Sequence, residues 1–339
     1  MRTVRFGRTA VEISILGLGT WAHGGPNVVH GRPVGWFGVD DKEALTTLGQ
    51  AHGAGITHWD TADVYGNGRA EELIGRTFAQ GQVPREAIFL ASKVGWDPGS
   101  FSHYYHPAQI RRQLERSLKL LQTDHLDLHY LHHCDFGPEG EYLDDAVEAM
   151  HRFRDEGKIR FIGLSDWKCE NILRYGELVD PDVIQCYRNV VDDTYESSGL
   201  KKWAEARDLG VAFFSPLKHG LLLGVFEGPV TFGEGDHRSS LHEFRDYGLI
   251  KRLRACRCEV EKRFSTLPQP VLAALVGALL VDSPSGVVLV GQRRPQHALA
   301  VAQAGRTMLS PEDARWIRQL YQENGRILRG PWKSYHQSI

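Results

Sequence analysis

The chain has 339 residues, 42% of them hydrophobic, enough for a sizeable core in one large α/β domain or two ordinary ones. Its formal net charge is -2 and its basic residues are scattered, so no nucleic-acid partner is expected, and the run Lys251-Arg252-Leu253-Arg254 reads as a solvated helix face. The longest apolar stretch, Val271–Val281, is broken by Gly277 and is about half the length of a membrane span, which excludes a membrane partner.

In chain order, Met1–Gly7 lacks the apolar core of a signal peptide, and a cytoplasmic protein is expected. Thr3–Phe6 and Glu12–Ile13, joined by Gly7-Arg8-Thr9, read as a small β-hairpin. Eight short apolar, β-branched segments follow: Ser14–Leu18, Thr57–Trp59, Ile88–Ser92, Leu126–Leu131, Arg160–Leu164, Val183–Gln185, Val211–Phe214 and Val287–Val290. Helical patterns separate them. Asp40 and Asp41 are placed to cap a helix running to about Ala51, and Pro107 opens one with Ile110, Leu114, Leu118 and Leu121 on a single face. Asp144 caps another that stops at Gly157. Gly210 ends the helix carrying Trp203, and Ser310-Pro311-Glu312-Asp313 begins the last. Strands alternating with helices imply right-handed β-α-β units, and eight of them without a topological break predict an α/β fold, a (β/α)8 TIM barrel occupying 1–339 as one domain. The interval 217–245 is long and rich in Gly and polar residues, and reads as a functional loop after strand seven.

In such a barrel the chemistry collects at the carboxyl ends of the strands. Asp60-Thr61-Ala62-Asp63-Val64-Tyr65-Gly66 delivers a carboxylate and a phenol five residues apart just past the second strand. Phe89-Leu90-Ala91-Ser92-Lys93 brings a lysine to the end of the third, and Leu126–Leu131 runs into His132. These four divide the labour of proton transfer: Tyr65 as acid, Lys93 lowering its pKa, Asp60 holding Lys93, and His132 orienting a carbonyl. Gly17-Leu18-Gly19-Thr20-Trp21-Ala22 formally fits a dinucleotide fingerprint, but His23-Gly24-Gly25-Pro26-Asn27 cannot continue as the helix that fingerprint needs. In His129-Tyr130-Leu131-His132-His133-Cys134 alternate side chains face opposite ways, so no metal is expected there. The five cysteines are irregularly spaced and read as free thiols.

The order of Asp60, Tyr65, Lys93 and His132 closely resembles the aldo-keto reductase family, and the resemblance runs from about Val4 to Arg306. The spacing of Asp127-Leu128 and His132 matches the family and singles out that histidine. The resemblance implies NADPH/NADP+ as cofactor, with Gly19, Thr20 and Trp21 beside the nicotinamide together with Asp60. Ser165 and Asp166 stand where the family usually has Ser-Asn on the carboxamide, and a carboxylate accepts from the amide NH2 but cannot donate to its oxygen. Gln185 is retained, while Arg188 replaces a common aromatic, and two readings of it stay open: a compensating Asp166–Arg188 pair, or a surface position. Phe214 is implied to stack on the nicotinamide, and Ser215, Pro216, Leu217 and Gly220 form the pyrophosphate turn. Gly291, Arg293, Arg294 and His297 are implied at the adenosine end, the two arginines suiting a 2′-phosphate. Trp36, Trp96, Phe101, Tyr104, Tyr105 and Trp167 are expected to crowd the rim, either to stack on a sugar or an aromatic ring or to pack the loops. The implied activity is reversible reduction of a small-molecule carbonyl, with a sugar or other alcohol as the reverse substrate. Two other readings stay open: a cofactor-sensing regulatory subunit resembling potassium-channel β-subunits, and a barrel lyase using Lys93. Nothing in the sequence bears on oligomeric state.

Overall fold

Short strands apolar on both faces, interleaved with amphipathic helices, need cover inside and outside, and a closed barrel supplies both. The computed structural model describes residues 1–29, 32–38, 40–283 and 285–331. Eight parallel strands close into the barrel: β1 (Leu16–Gly19), β2 (His58–Asp60), β3 (Phe89–Val94), β4 (Leu126–Leu131), β5 (Ile159–Asp166), β6 (Val183–Tyr187), β7 (Gly210–Phe214) and β8 (Gly286–Gly291). Each pairs with its neighbour in sequence, and β8 returns to β1 through Val288–Leu16 and Gly291–Gly19. Around them run α1 (Asp41–Gly53), α2 (Arg69–Ala79), α3 (Pro107–Leu121), α4 (Leu143–Asp155), α5 (Cys169–Val179), α6 (Leu200–Ala206), α7 (Tyr247–Arg263), α8 (Pro270–Leu280), α9 (Pro295–Ala304) and α10 (Pro311–Asn324). The fold is the (β/α)8 TIM barrel with a short hairpin ahead of it.

That hairpin, Thr3–Arg5 against Glu12–Ser14, closes the amino-terminal mouth of the barrel. Phe6 and Ile13 pack with the barrel's own filling, Phe89, Ala91, Leu128, Tyr130, Val183, Ala212, Val287 and Leu289. Gly7 makes the junction possible: its φ is +54°, and a Cβ there would lie 2.1 Å from the Gly210 nitrogen. Tyr130 fills the barrel only because Gly163 on β5 has no side chain, since a Cβ would stand 2.2 Å from the ring. The larger part of the core lies outside the strands, where Leu90, Ile162, Leu164, Ile184, Val211 and Val288 meet Leu48, Ile74, Leu114, Met150, Ile172 and Leu275 of the helices. Each such fully buried side chain contributes about 1.5–3 kcal/mol of transfer free energy, so most of the fold's stability sits in this layer and leaves the upper rim free for function.

Local differences from the sequence reading have simple causes. Asp40 caps α1, accepting from the Glu43 amide at 2.7 Å, and Pro107 occupies the first turn of α3 as expected. Asp144 lies inside the first turn of α4 rather than at its cap, where its charge faces the positive helix end. Gly210 begins β7 instead of ending α6; the turn is made by Asp208 in a left-handed conformation (φ +51°). Strand β3 reaches Val94 and β5 reaches Asp166, two residues further than expected in each case. The interval 217–245 holds three 3-10 turns, Lys218–Leu223, His237–Ser240 and His242–Phe244. It meets the loop after β1 through a bridge between Gly35 and Asp236. No helix among the described residues is long and apolar enough to cross a membrane.

Candidate active site

At the end of β3, burial of an ammonium demands a counter-charge and three acceptors. Lys93, with no exposed surface, meets Asp60 Oδ1 at 2.6 Å, the Thr61 carbonyl at 2.7 Å and the Tyr65 hydroxyl at 3.3 Å. Gln185 Nε2 donates to the other Asp60 oxygen at 2.8 Å. Burial opposes the charge on Lys93, but Asp60 and Tyr65 outweigh it and hold its pKa above the ordinary value of 10.5. For Tyr65 burial comes first and raises the phenol, while Lys93 pulls against it. The expectation of a net lowering by Lys93 is therefore corrected: the contribution is present, desolvation exceeds it, and the hydroxyl keeps its proton at neutral pH.

The His132 ring stands 6.2 Å from that of Tyr65, nearly perpendicular. Burial drives its pKa well below 6.5, with Lys93 and His133 adding to the effect, so the imidazole is neutral. Its Nδ1 is buried without a partner. Neutral imidazole can still donate one hydrogen bond, which suits it to orient an oxygen without competing for the proton.

These groups open onto one cavity of about 1510 Å3, on whose wall lie Gly19, Thr20, Trp21, Asp60, Tyr65, His132, Ser165, Asp166, Gln185, Phe214, Ser215, Pro216, Leu217, Gly220, Gly291, Arg293 and His297. Lys93 lies behind the wall, touching it through Tyr65. Arg294 is also off it, its Nε 3.5 Å from Glu43 on α1. The Asp166–Arg188 pair does not form. Arg188 shares its strand parity with the outward-facing Ile184 and Cys186, and bonds the Leu279 carbonyl, Ser283 and Glu196 between Tyr195 and Phe213. Asp166 instead accepts from the amides of Cys134 and Lys168, both at 2.8 Å, and from Asn171 at 3.1 Å.

Of the rim aromatics, Trp36, Trp96 and Trp167 line the cavity. Tyr105 is core, its hydroxyl on the His133 carbonyl at 2.6 Å; Tyr104 bonds Asp135, and Phe101 stacks on His106. The sequence reading missed the contribution of the long loop: His237 stacks on Trp21 with centroids 4.7 Å apart, His219 stands 4.3 Å from His237, and Arg238 lies 4.2 Å over Trp36 while paired to Asp236 at 2.6 Å. A loop carries no periodicity to point at such residues; its length and its run of His and Arg were the available signal.

The cavity fits a long phosphorylated cofactor. A Cβ at Gly220 or Gly291 would meet nothing within 4 Å, so backbone is open to close approach there. Ser215, Lys218, His219 and Gly220 all adopt positive φ, turning the chain sharply beside that opening. Burial, then Arg238 and Arg294, lower the pKa of Arg293, an arrangement of like charges that an anion would relieve. Among the described residues no group of three or more His, Cys, Asp or Glu is placed to hold a metal ion.

A parallel barrel thus carries a buried Asp-Lys-Tyr chain and a neutral histidine on its upper rim, a setting suited to proton transfer at an oxygen. The model of the aldo/keto reductase family matches residues 15–322, and the chain belongs to that family. It is 31% identical to an NADH-specific methylglyoxal reductase of Escherichia coli over 94% of this chain and 98% of that one. Among solved structures, a glycerol dehydrogenase from Gluconobacter oxydans superposes with a TM-score of 0.77 at 27% identity, covering 95% and 96% of the two chains. An aldo-keto reductase from Klebsiella pneumoniae in complex with NADPH gives 0.67 at 25% identity, with 95% of each chain covered. The protein is an NAD(P)H-dependent, carbonyl-reducing oxidoreductase.

Proposed function

We propose that the chain reversibly reduces a small-molecule aldehyde or ketone with NADPH, Tyr65 donating the proton to the carbonyl oxygen. The observation that carries this reading is the bonded series Gln185–Asp60–Lys93–Tyr65, which ends in a hydroxyl facing a cavity beside His132. The bound nicotinamide supplies the hydride, and in the reverse direction accepts it. Tyr65 holds the proton until charge develops on the substrate oxygen, and its departure is favoured by the ammonium of Lys93. His132, neutral and fixed between Tyr65 and Trp96, orients that oxygen. Trp21, Ser165, Asp166, Gln185 and Phe214 would hold the nicotinamide; Ser215, Pro216, Leu217 and Gly220 the pyrophosphate; and Gly291, Arg293 and His297 the adenosine end.

One relative is NADH-specific and one neighbour was solved with NADPH, so the chain's own residues decide the preference. Arg293 on the cavity wall supports a 2′-phosphate and hence NADPH. The aromatic wall of Trp21, Trp36, Trp96 and Trp167 supports a substrate with a flat apolar face, an aromatic aldehyde or a sugar ring. Free cysteines, four of them buried, support a reducing, cytoplasmic setting. A lyase using Lys93 is disfavoured because that amine is fully buried and saturated with acceptors, and a purely regulatory role is disfavoured by the bonded series itself. The test is a panel of aldehydes, ketones, sugars and alcohols followed at the absorbance band of the reduced nicotinamide. Absence of turnover across the panel in both directions, with either cofactor, would refute the reading.

A further inference from the structure

Asp166 lies on the cavity wall, and a second carboxylate, Asp135, acts with it on His133 and is bonded by Tyr104 at 2.6 Å. Lys93 and Asp60 cancel each other at 2.6 Å. His132 and His133, on the neighbouring strand end, are both held neutral by burial. Arg188, the counter-charge in a compensating pair, is turned outward to Glu196. The donors that reach Asp166 are two backbone amides and the Asn171 amide, which orient the carboxylate and carry no formal charge of their own. Asp166, 5% exposed, therefore has no cationic side chain bonded to it, and it stands beside Ser165 at the register position of Cys186, one residue above Gln185.

The two redox states of a nicotinamide differ by a charge: the oxidised ring is a cation and the reduced ring is neutral. A carboxylate that accepts from the carboxamide NH2 does so in both states, so that hydrogen bond does not discriminate between them. The Coulomb attraction does, because it exists only for the cation. We propose that Asp166 makes the site bind the oxidised cofactor more tightly, relative to the reduced one, than an asparagine at this position would. The inference rests on the nicotinamide lying at Ser165 and Gln185, as the proposed function has it.

The experiment measures dissociation constants of NADP+ and NADPH by quenching of the chain's tryptophans, for the parent, Asp166→Asn and Asn171→Ala. The ratio of the NADP+ constant to the NADPH constant is expected to rise on the order of tenfold in Asp166→Asn, the change that a charge interaction of about 1.4 kcal/mol produces. It is expected to stay at the parent value in Asn171→Ala, which loosens the carboxylate but leaves its charge. An unchanged ratio in folded Asp166→Asn overturns the inference, as does an equal change in Asn171→Ala. If Asp166→Asn does not fold, Asp166→Ser is measured in its place, with the same rise expected and an unchanged ratio overturning the inference. Binding of neither cofactor would overturn the proposed function itself.

Discussion

Replacing Asp60 with Asn separates the two roles of the buried series. The parent Lys93 has no exposed surface and, among the described residues, depends on Asp60 at 2.6 Å for its full counter-charge. In Asp60→Asn it keeps the Thr61 carbonyl and the Tyr65 hydroxyl but loses the charge that offsets desolvation. Breaking one partner of a buried pair costs about 3–5 kcal/mol, and the bond to Gln185 is weakened besides. The sign of the pH dependence should reverse as well. In the parent, the folded pKa of Lys93 lies above its ordinary 10.5, so its contribution is fully present below that value and is lost as pH rises through the folded pKa. Without Asp60, burial dominates and the folded pKa falls below 10.5. The unfolded state then binds more protons than the native one across that window, and stability recovers as pH rises. Urea unfolding of parent and variant at a series of pH values from neutral to about 10 tests this. The gap between the two curves should narrow as pH rises. A gap that is small at neutral pH, or that fails to narrow, would refute the account of Lys93 as a buried charge held by Asp60.

The remaining expectations concern single side chains. Tyr65→Phe should lower kcat by about two to four orders of magnitude with cofactor affinity intact; full activity in the purified variant would remove Tyr65 as the acid. Arg293→Ala should weaken NADPH roughly ten- to a hundredfold and leave NADH unchanged in fluorescence titration, whereas equal loss for both cofactors would place Arg293 away from the 2′-phosphate. Arg188→Leu should lower stability by about 2–3 kcal/mol, less than the full cost of breaking a buried pair because Glu196 is partly exposed, and leave cofactor binding untouched. In combination with Asp166→Asn its effect should add within a few tenths of a kcal/mol, since the two side chains share no partner.

The barrel and the order of Asp60, Tyr65, Lys93 and His132 were legible because they follow from periodicity. A βα repeat puts every strand end on one rim, so residues that are distant in sequence converge without any long-range contact having to be guessed. Neither a pair with Asp166 nor a surface position holds for the buried Arg188, and the same periodicity could have shown why. Ile184 and Cys186 turn outward and Gln185 reaches the cavity, and an even-numbered neighbour two residues beyond Cys186 continues outward into the helix layer. For Tyr105 the structure selects packing over a place on the rim: its hydroxyl finds the His133 carbonyl and its ring packs on Phe136. The contacts of His237 and Arg238 with Trp21 and Trp36 had no sequence counterpart, since they join two loops separated by some two hundred residues through one backbone bridge at Gly35 and Asp236. The buried polar series was therefore written in strand ends, where geometry is repetitive. The shape and charge of the substrate wall depend on loop residues such as Arg238 and on departures such as Asp166, whose meaning appears only once their donors and neighbours are known. The same division implies that exchange of the 217–245 loop between relatives should alter which carbonyl is accepted while leaving the Asp60–Lys93–Tyr65 series in place.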